Sequence, residues 1–255
     1  MPMNIGIVLA GGKGKRFKTT LFNKTSVEFG GKPLVKYGTD LFSQVADKTI
    51  VIVGLQSESV IEALKGDSKI YFALQKVRLG TGHAVKIAVE KIKEKGWKPE
   101  KVWVGYGDHM MFYTPEIIVQ LSYELDEKDK VISLLTCDYE NPDSLAWGRI
   151  IRDKSGNVSG IVEQKDANQE ERKIKELNAG LYCFRYNFIV EGLKRIKKSP
   201  VSGEYYLTDL IKIAKDMGYK VVPVNVSFDY IGIGINTHEE LKTSLNLFRK
   251  RSNLK

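Results

Sequence analysis

Asn4-Ile-Gly-Ile-Val-Leu-Ala10 runs directly into Gly11-Gly-Lys-Gly-Lys-Arg16. The first stretch is apolar almost without interruption, as a strand covered on both faces must be. The three glycines that follow let the backbone turn sharply and bring its N–H groups close to an anion. Lys13, Lys15 and Arg16 add positive charge to the same turn. Two familiar phosphate loops are excluded. A dinucleotide fingerprint needs glycine at position 17, where Phe17 stands, and neither Gly14-Lys15-Arg16 nor Gly31-Lys32-Pro33 completes a Walker A loop. An ordinary Gly-rich turn is the bland alternative, and three basic residues crowded into it without an anion speak against it.

Outward from that turn, apolar β-rich runs alternate with amphipathic segments. Strands are expected at Asn4–Ala10, Thr49–Leu55, Ile70–Leu74, Val102–Tyr106 and Val131–Cys137. Helices are expected at Pro33–Gln44, Ser57–Leu64, Gly82–Glu94 and Pro115–Leu125, the third with Ala84, Ile87, Ala88 and Ile92 on one stripe. This pattern predicts an α/β fold, a Rossmann-like domain whose mixed, mostly parallel central sheet carries helices on both faces. After about Glu140 the texture changes. Gly148–Asp153 and Val158–Glu163 read as a hairpin joined by Lys154-Ser-Gly-Asn157, and Glu176–Arg185 and Tyr219–Val226 as strands. Phe188–Ile196, Tyr205–Asp216 and His238–Lys250 read as helices. No internal repeat, low-complexity segment or Pro/Gly/Ser-rich linker interrupts the chain. At 255 residues it has room for one large domain or two small ones.

Two further sites draw attention. Tyr106-Gly107-Asp108 sits at the carboxyl end of a strand, where open α/β sheets bind ligands. A carboxylate there can hold Mg²⁺ against phosphate oxygens, or it can simply precede a helix. Leu79-Gly-Thr-Gly-His-Ala84 leads into a helix, and its glycines permit close approach to a base or phosphate; an N-terminal cap is the plain alternative. With three histidines and no Ser-His-Asp or His-x-x-x-His grouping, hydrolase and zinc chemistry find little support. His83, His109 and His238 read as packing or capping residues.

Composition sets the remaining bounds. Hydrophobic residues make up 42% and charged residues 28%, which excludes disorder throughout the chain. Forty basic against 31 acidic residues leave a net charge of +9, a surface that attracts anions. The densest basic cluster, Arg249-Lys-Arg251 to Lys255, reads as a solvated helix end, and no nucleic-acid-binding signature accompanies it. Cys137 and Cys183 lie in apolar runs as expected buried thiols. No apolar run reaches the ~20 residues of a membrane span, and Met1-Pro-Met-Asn-Ile-Gly6 does not read as a secretory signal. The expected setting is the cytoplasm, with no membrane or nucleic-acid partner.

The three sites occur in one order with Trp147-Gly-Arg-Ile-Ile-Arg152, Ile161-Val-Glu-Gln-Lys-Asp-Ala167, Glu176-Leu-Asn-Ala-Gly180, Gly203-Glu-Tyr-Tyr-Leu-Thr-Asp209 and Gly234-Ile-Asn236. Over about residues 4–245 this ordered set resembles the sugar-phosphate nucleotidylyltransferases, most nearly the uridylyltransferase (UDP-N-acetylglucosamine pyrophosphorylase) domain of the bifunctional pyrophosphorylase/acetyltransferases. The resemblance implies one nucleotidyltransferase domain over 1–255: a nucleotide half to about 140, a sugar-phosphate half over about 141–236, and a C-terminal helix with a basic tail. It implies no left-handed β-helix acetyltransferase domain.

The resemblance also implies roles. Arg16 and Lys24 would be catalytic, set against the reacting phosphates. Leu9, Ala10, Gly11, Gly12, Lys13, Gly14, Arg78, Gly80, Thr81, Gly82 and Gly107 would bind the nucleotide. Tyr106, Gly148, Glu163, Asn178, Glu204 and Tyr205 would meet the sugar. Asp108 and Asn236 would hold Mg²⁺. Four departures stand out: Asn23 where the family has Pro, Arg78 where it has a uracil-reading Gln, Trp147 for Tyr, and Ile233 in a stretch often acidic.

The implied reaction is Mg²⁺-dependent nucleotidyl transfer from UTP to N-acetylglucosamine 1-phosphate. Its alternatives are another triphosphate or sugar phosphate, motivated by Arg78, and a non-catalytic subunit that senses nucleotide sugars. The expected partners are small molecules, with the oligomeric state open.

Overall fold

The computed structural model describes residues 3–12, 14, 17, 22–54 and 56–252. Its elements in chain order are β1 (Asn4–Ala10), β2 (Glu28–Phe29), β3 (Lys32–Pro33), α1 (Leu34–Ser43), β4 (Lys48–Val53), α2 (Glu58–Ala63), β5 (Ile70–Leu74), α3 (Thr81–Glu94), β6 (Lys101–Tyr106), α4 (Pro115–Tyr123) and β7 (Lys130–Asp138). Then come β8 (Arg149–Arg152), β9 (Val158–Val162), α5 (Gln169–Arg172), β10 (Glu176–Arg185), α6 (Tyr186–Gly192), α7 (Asp209–Asp216), β11 (Lys220–Asn225) and α8 (His238–Ser252). Among the described residues no helix is long and apolar enough to cross a membrane.

β1 lies inside a sheet of order β11-β7-β10-β6-β1-β4-β5. It pairs in parallel with β4 (Ile7 opposite Ile50) and with β6 (Ile7 opposite Val104), and β4 pairs in parallel with β5. β7 and β11 are parallel to each other, while β10 runs antiparallel to both β6 and β7. The sheet is therefore mixed and mostly parallel, as the alternating pattern predicted. Successive side chains of a strand leave on opposite faces, and the core splits accordingly. Ile5, Ile7, Ile50, Ile52 and Val104 pack under α3, α6 and α7; Val8, Val51, Val53 and Trp103 pack under α1 and α4. Both cysteines are in the second layer, where burial pushes each thiol up to about 12.

Topology decides where a ligand can sit. The chain leaves β1 toward β4 and β5 on one side and returns through β6 on the other. That reversal opens a crevice beyond the carboxyl ends of β1 and β6. β10, being antiparallel to β6, brings its own first residues to the same rim.

Three local features depart from the sequence expectations. β2 and β3 form an unforeseen short hairpin closed by Gly30-Gly31, both at positive φ, the arrangement of a type I′ turn. The helix expected from Tyr205 begins only at Asp209, because the residues before it are committed elsewhere. Tyr205 N–H donates to Leu79 C=O (2.7 Å) and its carbonyl accepts from Gly82 N–H (2.8 Å), so this strip runs along the turn before α3. The expected Phe188–Ile196 helix is shifted to Tyr186–Gly192. The hairpin around Gly156 forms as anticipated, with Asp153 Oδ1 accepting from the N–H groups of Ser155 and Asn157.

Candidate functional site

β1 ends at Ala10, β5 at Leu74 and β6 at Tyr106, so Gly11, Gln75 and Asp108 emerge on one rim. Between them lies a cavity of about 650 Å³, lined by the Gly-rich turn (Leu9, Gly11, Gly12, Gly14), the Lys24 turn, Gln75, Arg78, Gly80, Thr81 and Asp108. A second lobe of about 320 Å³ is lined by His109, Trp147, Gly148, Glu163, Lys165, Asn178 and Tyr206. Thr81, Tyr106, Asp108, Glu204 and Asn236 line both, so the two lobes meet at these residues.

At that junction Lys24 Nζ is held by two oxygens. It donates to Asp108 Oδ2 in a short ion pair and to Asn236 Oδ1 at 3.0 Å. Lys24 is only 7% exposed, and a buried ammonium requires such compensation. Its turn is fastened by Asn23, the residue at which the family resemblance leads one to expect Pro. Asn23 Nδ2 donates to Ala10 C=O (2.8 Å), while Asn23 Oδ1 accepts from Thr25 N–H (2.9 Å) and from its hydroxyl (2.8 Å). One buried amide thus ties Lys24 to the end of β1. Asn23→Ala is expected to cost about 2 kcal/mol by leaving these groups unpaired. In a thermal melt this reads as a Tm lower by roughly 4–8 °C, and an unchanged melt would refute the tie. Asn236 is set beside Asp108 because Ile235 N–H donates to the Asp108 carbonyl (2.9 Å) and Glu240 Oε2 accepts from Asn236 N–H (2.7 Å).

The far end of the large lobe carries a different chemistry. Gln75, 5% exposed, donates from Nε2 to Gly80 C=O (3.1 Å) and contacts His83 Nδ1 (3.1 Å). Burial lowers the pKa of His83. Gly80 has φ +102°, and a Cβ there would lie 2.4 Å from the Tyr205 carbonyl, so glycine is required. Arg78 also lines this end, packed so closely on Gly54 that a Cβ would lie 2.8 Å from Nη2. Its Nε and Nη2 are buried without a hydrogen-bond partner, and burial lowers its pKa. The family resemblance led to Arg78 as the replacement of an amide; in the structure Arg78 lines the lobe together with an amide, Gln75, three residues earlier.

In the small lobe, β10 bulges between Asn178 and Tyr182, with Gly180 at φ +74°. The bulge turns Asn178 toward the lobe and admits the Tyr106 ring, which a Cβ on Gly180 would meet at 2.4 Å. Loss of hydration raises the pKa of Glu163, whose Oε1 accepts from the Thr208 hydroxyl at 2.9 Å. His109 lies 4.5 Å from the Trp147 ring, and burial pushes its pKa down to about 4. The loop bearing Trp147 and Gly148 is gathered by the fully buried Arg149, which donates to the carbonyls of Pro142, Leu145 and Trp147.

The structure brings most of the sequence-derived residues to these two lobes. Leu9, Gly11, Gly12, Gly14, Lys24, Arg78 and Gly80 line the large one; Gly148, Glu163 and Asn178 line the small one; and Thr81, Tyr106, Asp108, Glu204 and Asn236 line both. Four others line neither. Ala10 is buried in the core under Asn23, and Gly107 is tied by its N–H to Leu9 C=O. Gly82 and Tyr205 are spent on each other's backbone. Lys13 and Arg16 lie outside the described residues. Gln75, Thr25 and Lys165 line the lobes although sequence reasoning passed over them; Gln75, as a polar residue closing an apolar strand, carried the one available signal. Among the described residues no group of three or more His, Cys, Asp or Glu could hold a metal ion.

A family model described as nucleotidyl transferase matches residues 5–229. The chain is 39% identical over 237 residues to the bifunctional protein GlmU of Caldicellulosiruptor saccharolyticus, covering 92% of this chain and 50% of that protein. It is 38% identical over 252 residues to the bifunctional protein GlmU of Exiguobacterium sibiricum, covering 98% and 54%. The chain thus spans about half the length of these relatives. In fold it is similar to a Bacillus anthracis chain assigned as a glucose-1-phosphate thymidylyltransferase, with a TM-score of 0.74, 18% identity, and coverage of 96% and 95%.

Proposed function

The chain belongs to the nucleotidyl transferase family, and from that membership we propose that it transfers a uridylyl group from UTP to N-acetylglucosamine 1-phosphate, releasing pyrophosphate. The observation that carries this reading is the meeting of two lobes at Asp108 and Asn236, which together hold Lys24. A nucleotide fits the large lobe with its base toward Gln75 and Gly80 and its phosphates toward Lys24 and the Gly-rich turn. A sugar phosphate fits the small lobe with its phosphate at the same junction. We assign residues to about 140 to the nucleotide half and about 141–236 to the sugar-phosphate half.

In this reading a phosphate oxygen of the sugar phosphate attacks the α-phosphorus, and the bond to pyrophosphate breaks. The nucleophile is already an anion at neutral pH, so no general base is needed. Burial pushes the pKa of His109 down to about 4, so its imidazole is neutral at neutral pH. Lys24 places positive charge where the phosphates crowd, and Arg16 and Lys13 are proposed to add to it. Confining both reactants beside this cation supplies orientation and charge stabilisation together.

The donor set fits magnesium. Two oxygens, a carboxylate and an amide carbonyl, already converge on one cationic atom, and such hard donors suit an ion that completes its shell with substrate phosphates and water. Asp108 and Asn236 would hold it, and Mg²⁺ would neutralise phosphate charge.

A second reading, transfer from another triphosphate, is favoured by the unpartnered donors of Arg78, which seek acceptor atoms that bases present differently. One assay separates the readings. The protein is mixed with Mg²⁺, N-acetylglucosamine 1-phosphate and each nucleoside triphosphate, and pyrophosphate is measured. Release is expected with UTP and only when the sugar phosphate is present. Release with a different triphosphate selects the second reading. Nucleotide binding without release identifies a sensor and overturns catalysis.

A further inference from the structure

Tyr182 lines neither lobe and is 1% exposed, yet its hydroxyl meets a residue that does. Asn178 Nδ2 donates to Tyr182 Oη at 2.6 Å, and Asn178 Oδ1 accepts from Gly180 N–H at 3.1 Å. We infer that Tyr182 is a positioning residue, whose hydroxyl fixes the Asn178 amide in the orientation that presents one donor and one acceptor to a sugar in the small lobe. This deepens the proposed function and rests on it.

An Asn side chain has two N–H donors and a carbonyl oxygen with two lone pairs. The bulge at Gly180 decides which end points where, since a backbone N–H can only donate and so requires the carbonyl oxygen. The amide nitrogen is then left facing Tyr182, whose phenol oxygen accepts. One donor and one lone pair remain, and Asn178, 7% exposed, lines the lobe. Its backbone is equally committed, N–H to Gly148 C=O at 2.9 Å. Tyr182 is itself anchored: its hydroxyl interacts with that of Tyr106, which in turn interacts with that of Thr81 at the start of α3. Rotation of the Asn178 amide would bury an unpaired donor against Gly180 and an unpaired acceptor against a phenol held in place. A donor and an acceptor side by side match a hydroxyl or amide substituent of a sugar, and the match depends on that orientation.

Tyr182→Phe keeps the ring and removes the hydroxyl. The KM for N-acetylglucosamine 1-phosphate is expected to rise roughly 3- to 10-fold, the effect of one buried neutral hydrogen bond, with kcat and the KM for UTP near wild type. In an Asn178→Ala background most of this effect should disappear, because the amide that Tyr182 orients is gone. Tyr182→Met, the second hydroxyl-free replacement, should give the same split should the Phe variant fail to fold. Calorimetric binding of the sugar phosphate in the presence of UMP reads the same comparison without turnover. Wild-type sugar affinity in both variants, an undiminished effect on top of Asn178→Ala, or equal losses for both substrates would overturn the inference. Absence of pyrophosphate release by the wild-type chain would instead sink the proposed function and leave the binding comparison standing. A wild-type chain that binds no sugar phosphate overturns both.

Discussion

Asp108→Asn is expected to lower pyrophosphate release by about 10³-fold, the upper range for removing one preorganised electrostatic group, while Tm moves by no more than about 4 °C. The separation of the two effects follows from how Asp108 is held. Its carbonyl is bound by Ile235 N–H at 2.9 Å, and its place at the end of β6 is set by the backbone. Neither depends on the side-chain charge. An amide in its place still offers an oxygen to Lys24, so the buried ammonium keeps both its partners. What disappears is the formal negative charge, and a divalent cation binds a neutral amide oxygen far more weakly than a carboxylate. Asp108→Ala makes the contrast. It leaves Lys24 with Asn236 alone, and breaking a buried pair by removing one partner commonly costs about 3–5 kcal/mol. That variant should lose both activity and melting temperature. Near-normal turnover in Asp108→Asn, measured with excess Mg²⁺, would remove Asp108 from the proposed chemistry.

The arrangement of sheet and crevice was legible because it depends on local patterning. Continuous apolar strands such as Thr49–Val53, alternating with amphipathic helices, leave few alternatives to a sheet covered on both faces. The glycines that enforce close approach were visible as residues; their neighbours were not. That Gly80 faces the Tyr205 carbonyl and Gly180 the Tyr106 ring are facts of tertiary packing, with partners far away in sequence. The same holds where the reading of the candidate site was incomplete. Arg78 and Gln75 stand three residues apart just beyond one strand, and only the course of the chain beyond Leu74 brings both to the lobe. Tyr205 looked like a lining residue from its motif, but its backbone is needed to brace Gly82, and of that motif Glu204 and Tyr206 line the lobe. Asn23 appeared as a loss, a missing Pro; in the fold it is the amide that fastens the Lys24 turn.

Lys24→Met is expected to reduce turnover by roughly 10²–10³-fold with the fold retained. Methionine is close to lysine in length and adapts to irregular spaces, so the turn fastened by Asn23 should keep its course. Asp108 is left without its ammonium, but its side chain is 23% exposed, so water can solvate the carboxylate and the cost to stability stays small. The loss therefore belongs to the charge itself. In the proposed reaction the incoming phosphate and the triphosphate approach as like charges, and Lys24 is the one cation among the described residues held at the junction of the two lobes by both Asp108 and Asn236. Removing it should act mainly on kcat, since charge accumulates most where entering and leaving oxygens crowd one phosphorus. Lys24→Arg should not rescue. A planar, longer guanidinium cannot place a single point charge between the two oxygens. Single-turnover rates for both variants, with saturating Mg²⁺ and substrates, decide the matter. More than a tenth of wild-type activity in Lys24→Met would mean that the reacting phosphates take their compensation from elsewhere in the cleft.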